Sequence, residues 1–174
     1  MKKQSSLLLI LMLLLVLAGC GAKPAPTEPP ELTVTNAQGV SITAMGGSYD
    51  WDYEAGGGQR TSAIACGMHP LDETLRDSTP TLEMPIAVSA SFYYTVTLDF
   101  GDCAPDSVTL RYWNEQCWGD TQATAEKLTV QRQDDGTYTV ELFPSVGIFE
   151  VDAQWDAEDY CGRAFYSFCT KAAE

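Results

Sequence analysis

Three residues of this chain have the types and spacing of a nucleophilic site. Cys66, His69 and Asp72 follow one another at intervals of three, and nucleophilic catalysis needs a nucleophile, a base and an orienting group. His69 is the only histidine, and Pro70 places it on a turn, so the spacing sets no geometry. No Gly-x-Ser-x-Gly elbow accompanies these residues. We therefore expect no enzyme activity, no catalytic residue and no cofactor, and a hydrolase ranks third among the functions considered.

Ligand binding is the second chemistry that the residue types suggest. Cys66 and His69 have a zinc-like spacing but no second pair of ligands, and residues 50–54 start like an EF-hand loop whose invariant glycine is replaced by Ala55. The weak calcium candidates are three acids in a predicted loop after a strand: Asp156, Glu158 and Asp159. Three tryptophans could bind a glycan if they were exposed, although core packing is the expected role of at least two of them: Trp113, Trp118 and Trp155. The sequence predicts no metal site, and a cation- or glycan-binding accessory protein is the alternative function.

Five cysteines follow residue 20, and outside a membrane they could form disulfides. Because five is odd, at most two bridges form and one thiol is left over, and the sequence alone leaves the arrangement open. Strand ends gather at the rim of a sandwich, which favours Cys117–Cys161. Cys66 and Cys169 each share a strand face with residues that can point inward, which favours a second bridge, Cys66–Cys169. Cys103, in a Gly-Asp-Cys-Ala-Pro turn, is then the free thiol.

The N-terminus has the pattern of an export signal. Lys2 and Lys3 precede an apolar run of about a dozen residues, Leu7–Ala18, which is too short to span a bilayer. The tetrapeptide Leu-Ala-Gly-Cys at residues 17–20 then resembles the lipobox of bacterial lipoproteins. That resemblance implies removal of residues 1–19 as a signal peptide and attachment of lipid to Cys20. It also implies that the protein is anchored on the outer face of the cell membrane, so that the membrane is a partner.

The segment of residues 20–31 separates this anchor from the remainder. It contains four prolines, which remove amide donors and favour an extended chain: Pro24, Pro26, Pro29 and Pro30. We expect a spacer that holds one domain, residues 32–174, roughly 30 Å from the membrane. The net charge of −14 repels phosphate backbones, so nucleic acid is excluded as a partner.

Residues 32–174 alternate apolar and polar side chains nearly throughout. The clearest runs are residues 92–100, 107–113 and 148–156, and turn residues separate them. Pro85 predicts an edge strand over residues 82–89. Residues 71–77 and 123–127 are each expected to form a turn or two of helix. The pattern predicts an all-β fold, a two-sheet antiparallel β-sandwich of nine to eleven short strands.

A second resemblance covers much of residues 47–113. Gly-Ser-Tyr-Asp-Trp at 47–51, Ala-Cys-Gly-Met-His-Pro-Leu at 65–71 and Ala-Pro-Asp-Ser-Val at 104–108, leading to Trp113, are similar to a pattern in uncharacterised Gram-positive surface lipoproteins. The resemblance implies an immunoglobulin-like β domain outside the membrane and carries no activity or functional residue with it. We therefore expect a membrane-anchored lipoprotein with a non-enzymatic structural or binding domain, whose partner would be a protein or the cell wall.

Overall fold

The computed structural model describes residues 24–86 and 93–173, so Cys20 and the predicted signal peptide lie outside the described residues. Within these two ranges the chain forms twelve strands and two short 3-10 helices, Glu73–Leu75 and Glu115–Cys117. No helix in this part of the chain is long and apolar enough to cross a membrane. The strands are β1 (Thr33–Thr35), β2 (Ser41–Thr43), β3 (Met45–Glu54), β4 (Arg60–Ala65), β5 (Thr81–Met84), β6 (Tyr94–Asp99), β7 (Ser107–Asn114), β8 (Glu126–Leu128), β9 (Gln131–Arg132), β10 (Tyr138–Leu142), β11 (Gly147–Asp156) and β12 (Tyr160–Ala172).

Two antiparallel sheets form the predicted β-sandwich. The smaller sheet has the order β2-β1-β6-β10-β9, and the larger has the order β4-β3-β12-β11-β7-β8. The short strand β5 joins the larger sheet by pairing in parallel with the last residues of β12. The all-β prediction is confirmed. The strand count exceeds the expected nine to eleven because pairings as short as the two residues of β9 leave no visible alternation in the sequence.

The structure contains one of the two predicted helical turns and part of the predicted edge strand. Residues 71–77 contain the helix Glu73–Leu75, as expected. The prediction for residues 123–127 is wrong, because this stretch runs into strand β8, which adds an edge to the larger sheet. Strand β5 ends immediately before Pro85, which lacks the amide donor needed to extend the pairing. Residues 87–89 of the predicted edge strand lie outside the described residues.

Strand β3 alternates as the sequence predicts. Trp51 is only 1% exposed and points between the sheets, whereas Asp50 and Asp52 point outward. The Trp51 ring lies edge-on to Trp155 at 5.2 Å and stacks on Tyr160 at 5.4 Å. Rings that stack or meet edge to face stabilise beyond the area they bury. This aromatic group fills the core at the end of the larger sheet where β12 begins.

The proline-rich segment packs against this core. The indole Nε1 of Trp51 donates to the carbonyl of Pro26 at 2.8 Å, and the phenol of Tyr166 donates to the carbonyl of Pro30 at 2.7 Å. We call residues 24–31 the strap. Residues 24–31 of the expected spacer therefore lie against the sandwich, and residues 20–23 lie outside the described residues. The carbonyls of the strap are free to accept because proline-rich backbone makes no internal hydrogen bonds.

A second, smaller core lies on the outer face of the larger sheet, the face that points away from the smaller sheet. Leu71, Trp113, Ile148 and Cys169 are buried together there, under the loop that carries Leu71 and the segment after β7. The amide of Gly119 donates to the carbonyl of Leu71 at 2.8 Å, which joins the two covering segments. These loops leave the middle of the outer face to charged side chains.

Candidate functional site

Four charged side chains meet in the middle of the outer face. Arg111 comes from β7, Glu150 and Asp152 from β11, and Arg163 from β12, and these three strands are adjacent. Their chain neighbours point into the core, so period-two alternation directs all four outward. We call these four residues the ion cluster. Two arginines and two carboxylates make it formally neutral at pH 7.

The carboxylate of Asp152 is the centre of the ion cluster. Arg163 donates to it through Nε at 2.7 Å and Nη2 at 2.6 Å, and Arg111 donates through Nη2 at 3.1 Å. The other terminal nitrogen of Arg111 donates to Glu150. The Asp152 side chain is only 6% exposed and the Glu150 side chain 11%, against 29% and 41% for Arg111 and Arg163. Two carboxylates are thus buried on an outer face because guanidinium groups cover and bind them.

Phe165 completes this surface. The guanidinium of Arg163 lies 4.7 Å from the centre of the Phe165 ring, and that of Arg111 lies 5.9 Å from it. Both distances are within the range at which an aromatic ring attracts a cation. The ring therefore attracts both guanidinium groups while each keeps its hydrogen bonds to Asp152, whose carboxylate lies between the two positive charges.

The surroundings shift two pKa values of the ion cluster. Burial raises the pKa of the Glu150 carboxyl, and the positive charge of Arg111 partly opposes that shift. The hydrogen bonds to Asp152 raise the pKa of Arg163 further above its ordinary range. An acid of raised pKa beside a second carboxylate is an arrangement used in acid–base catalysis. Here, however, three guanidinium hydrogen bonds occupy both oxygens of Asp152, which fits a structural ion network.

His69 and Asp72, which together with Cys66 have the spacing of a nucleophilic site, each have a local hydrogen-bond partner. His69 is exposed, its Nδ1 accepts from the amide of Leu71 at 3.2 Å, and its ring lies 5.9 Å from that of Trp113. Asp72 caps the helix Glu73–Leu75 by accepting from the amide of Thr74 at 3.0 Å. Hydrogen bonds from the side chain and the amide of Thr74 lower the pKa of Asp72. Asp72 therefore holds a turn.

Of the calcium candidates, Glu158 and Asp159 lie in the turn between β11 and β12, whereas Asp156 is the last residue of β11 and not part of a loop. The amide of Asp156 donates to Asp106 at 2.7 Å, and the carbonyl of Asp159 accepts from the amide of Glu54 at 2.8 Å. Across residues 24–86 and 93–173, no three side chains of the types that bind metals converge on one point. The acids of this turn therefore form no cage in the structure.

The predicted glycan-binding tryptophans belong largely to the core. Trp113 is 5% exposed and donates to the carbonyl of Ala123 at 3.0 Å. Trp155 is 4% exposed and donates to the carbonyl of Cys103 at 2.8 Å. Trp118 is half-buried against the second core. Because two of the three rings are buried and their N–H groups are bound, the three do not form an exposed platform.

The fold does not accommodate the predicted Cys117–Cys161 bridge. Cys161 pairs with Asp156 at one end of β11, whereas Asn114, three residues before Cys117, pairs with Gly147 at the other end. Nine residues of strand separate these positions by roughly 30 Å, and a disulfide needs Cα atoms within about 7 Å. The five cysteines in the described part of the chain all have free thiols in the structure, so Cys66–Cys169 is not formed either.

The cysteines are expected to differ sharply in reactivity. Cys66 is exposed at the end of edge strand β4, whereas Cys169 is buried and burial raises the pKa of its thiol to about 11. The thiolate is the form that reacts with iodoacetamide. We expect brief labelling of the folded, reduced protein at pH 8 to modify Cys66 and to spare Cys169 until denaturant is added. Peptide mass mapping measures both sites, and equal labelling in the folded state would contradict this placement.

Comparison of the chain with protein-family models, with curated proteins and with solved structures gave no match. Three features of this chain bear on its function: the Leu-Ala-Gly-Cys motif at residues 17–20, the strap and the ion cluster. The alternation of β11 is the only sign of the ion cluster in the sequence, because its arginines come from other strands.

Proposed function

We propose that this protein is a membrane-anchored extracytoplasmic lipoprotein whose β-sandwich is a non-enzymatic structural or binding module. The observation that carries the proposal is the Leu-Ala-Gly-Cys motif at residues 17–20, which begins within the last two residues of the apolar run Leu7–Ala18. A diacylglyceryl group on Cys20 supplies two acyl chains, which anchor stably where one chain does not. Residues 1–19 are the signal peptide in this proposal.

Two features of the folded part support a binding or structural role. The strap is hydrogen-bonded to Trp51 and Tyr166, so the sandwich is joined to the anchor through a bound segment. The ion cluster gives the outer face of the larger sheet a fixed arrangement of charges, since each arginine is held by a carboxylate. A rigid face of this kind suits the support of other envelope components or the recognition of a protein or cell-wall partner.

The anchor is tested by Cys20→Ala. We expect the variant either to remain uncut or to leave the membrane fraction, because the thiol that receives the lipid is missing. Fractionation of bacterial cells and mass spectrometry of the product measure both outcomes. Cys66→Ala is the matched control, since it removes an exposed cysteine of the sandwich and should leave processing and membrane attachment unchanged. A Cys20→Ala protein that is cut and membrane-bound like the wild type would refute the proposal.

A further inference from the structure

The strap leaves the sandwich at one particular end of the molecule. Pro24 lies beside Tyr53, Gly56 and Asp159 at a shallow crevice of about 560 Å³. These neighbours belong to two hairpin ends, residues 53–60 and residues 156–160, which are joined by the pairing of Tyr53 with Tyr160. We call these two hairpin ends the anchor rim. We propose that the anchor rim is the surface of the domain that faces the lipid bilayer, an inference that rests on the proposed anchor at Cys20.

The strap is fixed to the sandwich by buried donors. Trp51 is 1% exposed and Tyr166 is 5% exposed, and each donates its polar hydrogen to a carbonyl of the strap. If the strap left, these two donors would lose their protein acceptors and the rings beneath the strap would be exposed to water, and both effects oppose its release. The strap therefore stays on the sandwich, and the chain toward Cys20 starts from the anchor rim.

The length of chain that remains is short compared with the domain. Six peptide steps separate Cys20 from Pro26, so this part reaches about 20 Å at full extension. Strand β12 alone runs for twelve steps from Tyr160 at the rim to Ala172, which is about 40 Å. The anchor rim is therefore held near the bilayer, while the loop that follows the helix Glu115–Cys117 lies at the far end of the sheet.

The composition of the anchor rim determines how it meets the bilayer. Its charged residues are four acids and one base: Glu54, Asp156, Glu158, Asp159 and Arg60. Four negative charges and one positive charge give the rim a formal charge of −3. Anionic headgroups therefore repel the rim, and at physiological salt this repulsion acts over a Debye length of about 8 Å. Gly56–Gly58 offer no apolar side chain for insertion. The rim thus faces a headgroup surface across water and approaches a zwitterionic surface more closely than an anionic one.

The path of the strap is tested first without any membrane. A paramagnetic tag is placed on the N-terminal amine of the unlipidated chain of residues 20–174 carrying Cys20→Ser. We expect strong broadening of the NMR amide signals of Gln59 and Asp159 at the rim and little effect on Gln122 in the far loop. Equal broadening of rim and far loop would overturn the inference.

The orientation is tested next with the lipidated protein in vesicles of phosphatidylcholine whose headgroups carry an energy acceptor. A fluorescent amino acid replaces either Gln59 at the rim or Gln122 in the far loop. We expect strong energy transfer from position 59 and weak transfer from position 122. Addition of phosphatidylglycerol should reduce the transfer from position 59 at low salt, and salt should restore it. Equal transfer from the two positions would overturn the inference.

The double substitution Trp51→Phe with Tyr166→Phe is the variant that isolates the strap. It keeps an aromatic ring at both positions but removes both donors to the strap, so the free chain lengthens and the difference in transfer between the two positions should shrink. A variant that keeps the full difference would show that the strap does not set the orientation.

The same experiments distinguish failure of the anchor from failure of the inference. If the wild-type protein does not attach to vesicles while its N-terminal tag still broadens the amide signals of the rim, the proposed lipid anchor fails and the path of the strap stands.

Discussion

Trp51→Ala is expected to lower the free energy of unfolding by about 4 kcal/mol, the range measured when a buried large aromatic residue is cut back to alanine. Trp51 is 1% exposed and its ring contacts those of Trp155 and Tyr160. The substitution leaves a cavity in the core at the anchor rim and also removes the donor to Pro26. Both effects act in the same direction, so the loss should exceed that of an ordinary apolar truncation.

Urea unfolding followed by far-UV circular dichroism measures this loss through the midpoint and slope of the transition. Trp118→Ala is the matched control, because Trp118 is half-buried and should cost about 1–2 kcal/mol. Trp51→Phe separates the two contributions, since it keeps most of the packing and loses the bond to Pro26, at about 1 kcal/mol for the bond. Equal losses for Trp51→Ala and Trp118→Ala would contradict the burial of Trp51.

The alternation of single strands could be predicted from the sequence. In β3 the aromatic residues face the core and the acids face outward, and β11 places Val151 and Trp155 inside as expected. A strand with one buried face shows a period of two in its sequence, because every second side chain must be apolar. That local signal was sufficient to predict the β-sandwich.

The pairing of distant strands could not be predicted in the same way. The bridge Cys117–Cys161 was proposed because both cysteines lie near strand ends, yet the sequence does not show that these ends are opposite ends of the larger sheet. The ion cluster was missed for the same reason. Arg111 and Asp152 are 41 positions apart in the chain and meet only once β7 and β11 have paired in this register.

The proline content of the strap indicated an extended segment but not its partners. An extended proline-rich chain has free carbonyls wherever it lies, so its composition is equally suited to a solvated spacer and to a bound strap. The deciding groups are the indole of Trp51 and the phenol of Tyr166, each of which is far from the strap in the chain. Which donors a strap meets is a property of the tertiary structure.

Arg111→Met should be strongly destabilising at neutral pH. Arg111 is bound to both Glu150 and Asp152, whose side chains are 11% and 6% exposed. Removal of one partner from a buried ion pair leaves an uncompensated charge and costs about 3 kcal/mol at the lower end of the measured range. Methionine keeps much of the volume and the apolar stem, so packing changes little. Thermal unfolding at pH 7 measures the loss.

The loss of stability caused by Arg111→Met should depend on pH, and the pKa of Glu150 determines the direction of this dependence. Burial already raises the pKa of Glu150 above its ordinary value of 4.5, and removal of Arg111 raises it further. The native variant then binds a proton that the unfolded chain releases, so stability falls as pH rises through this window. The deficit relative to wild type should be largest at pH 7 and smallest near pH 4.5.

Arg163→Met is the matched control. The Arg163 side chain is 41% exposed and Asp152 still keeps Arg111 as a partner, so we expect a loss of about 1 kcal/mol. A pH-independent deficit for Arg111→Met, or equal losses for the two variants, would contradict the arrangement of the ion cluster.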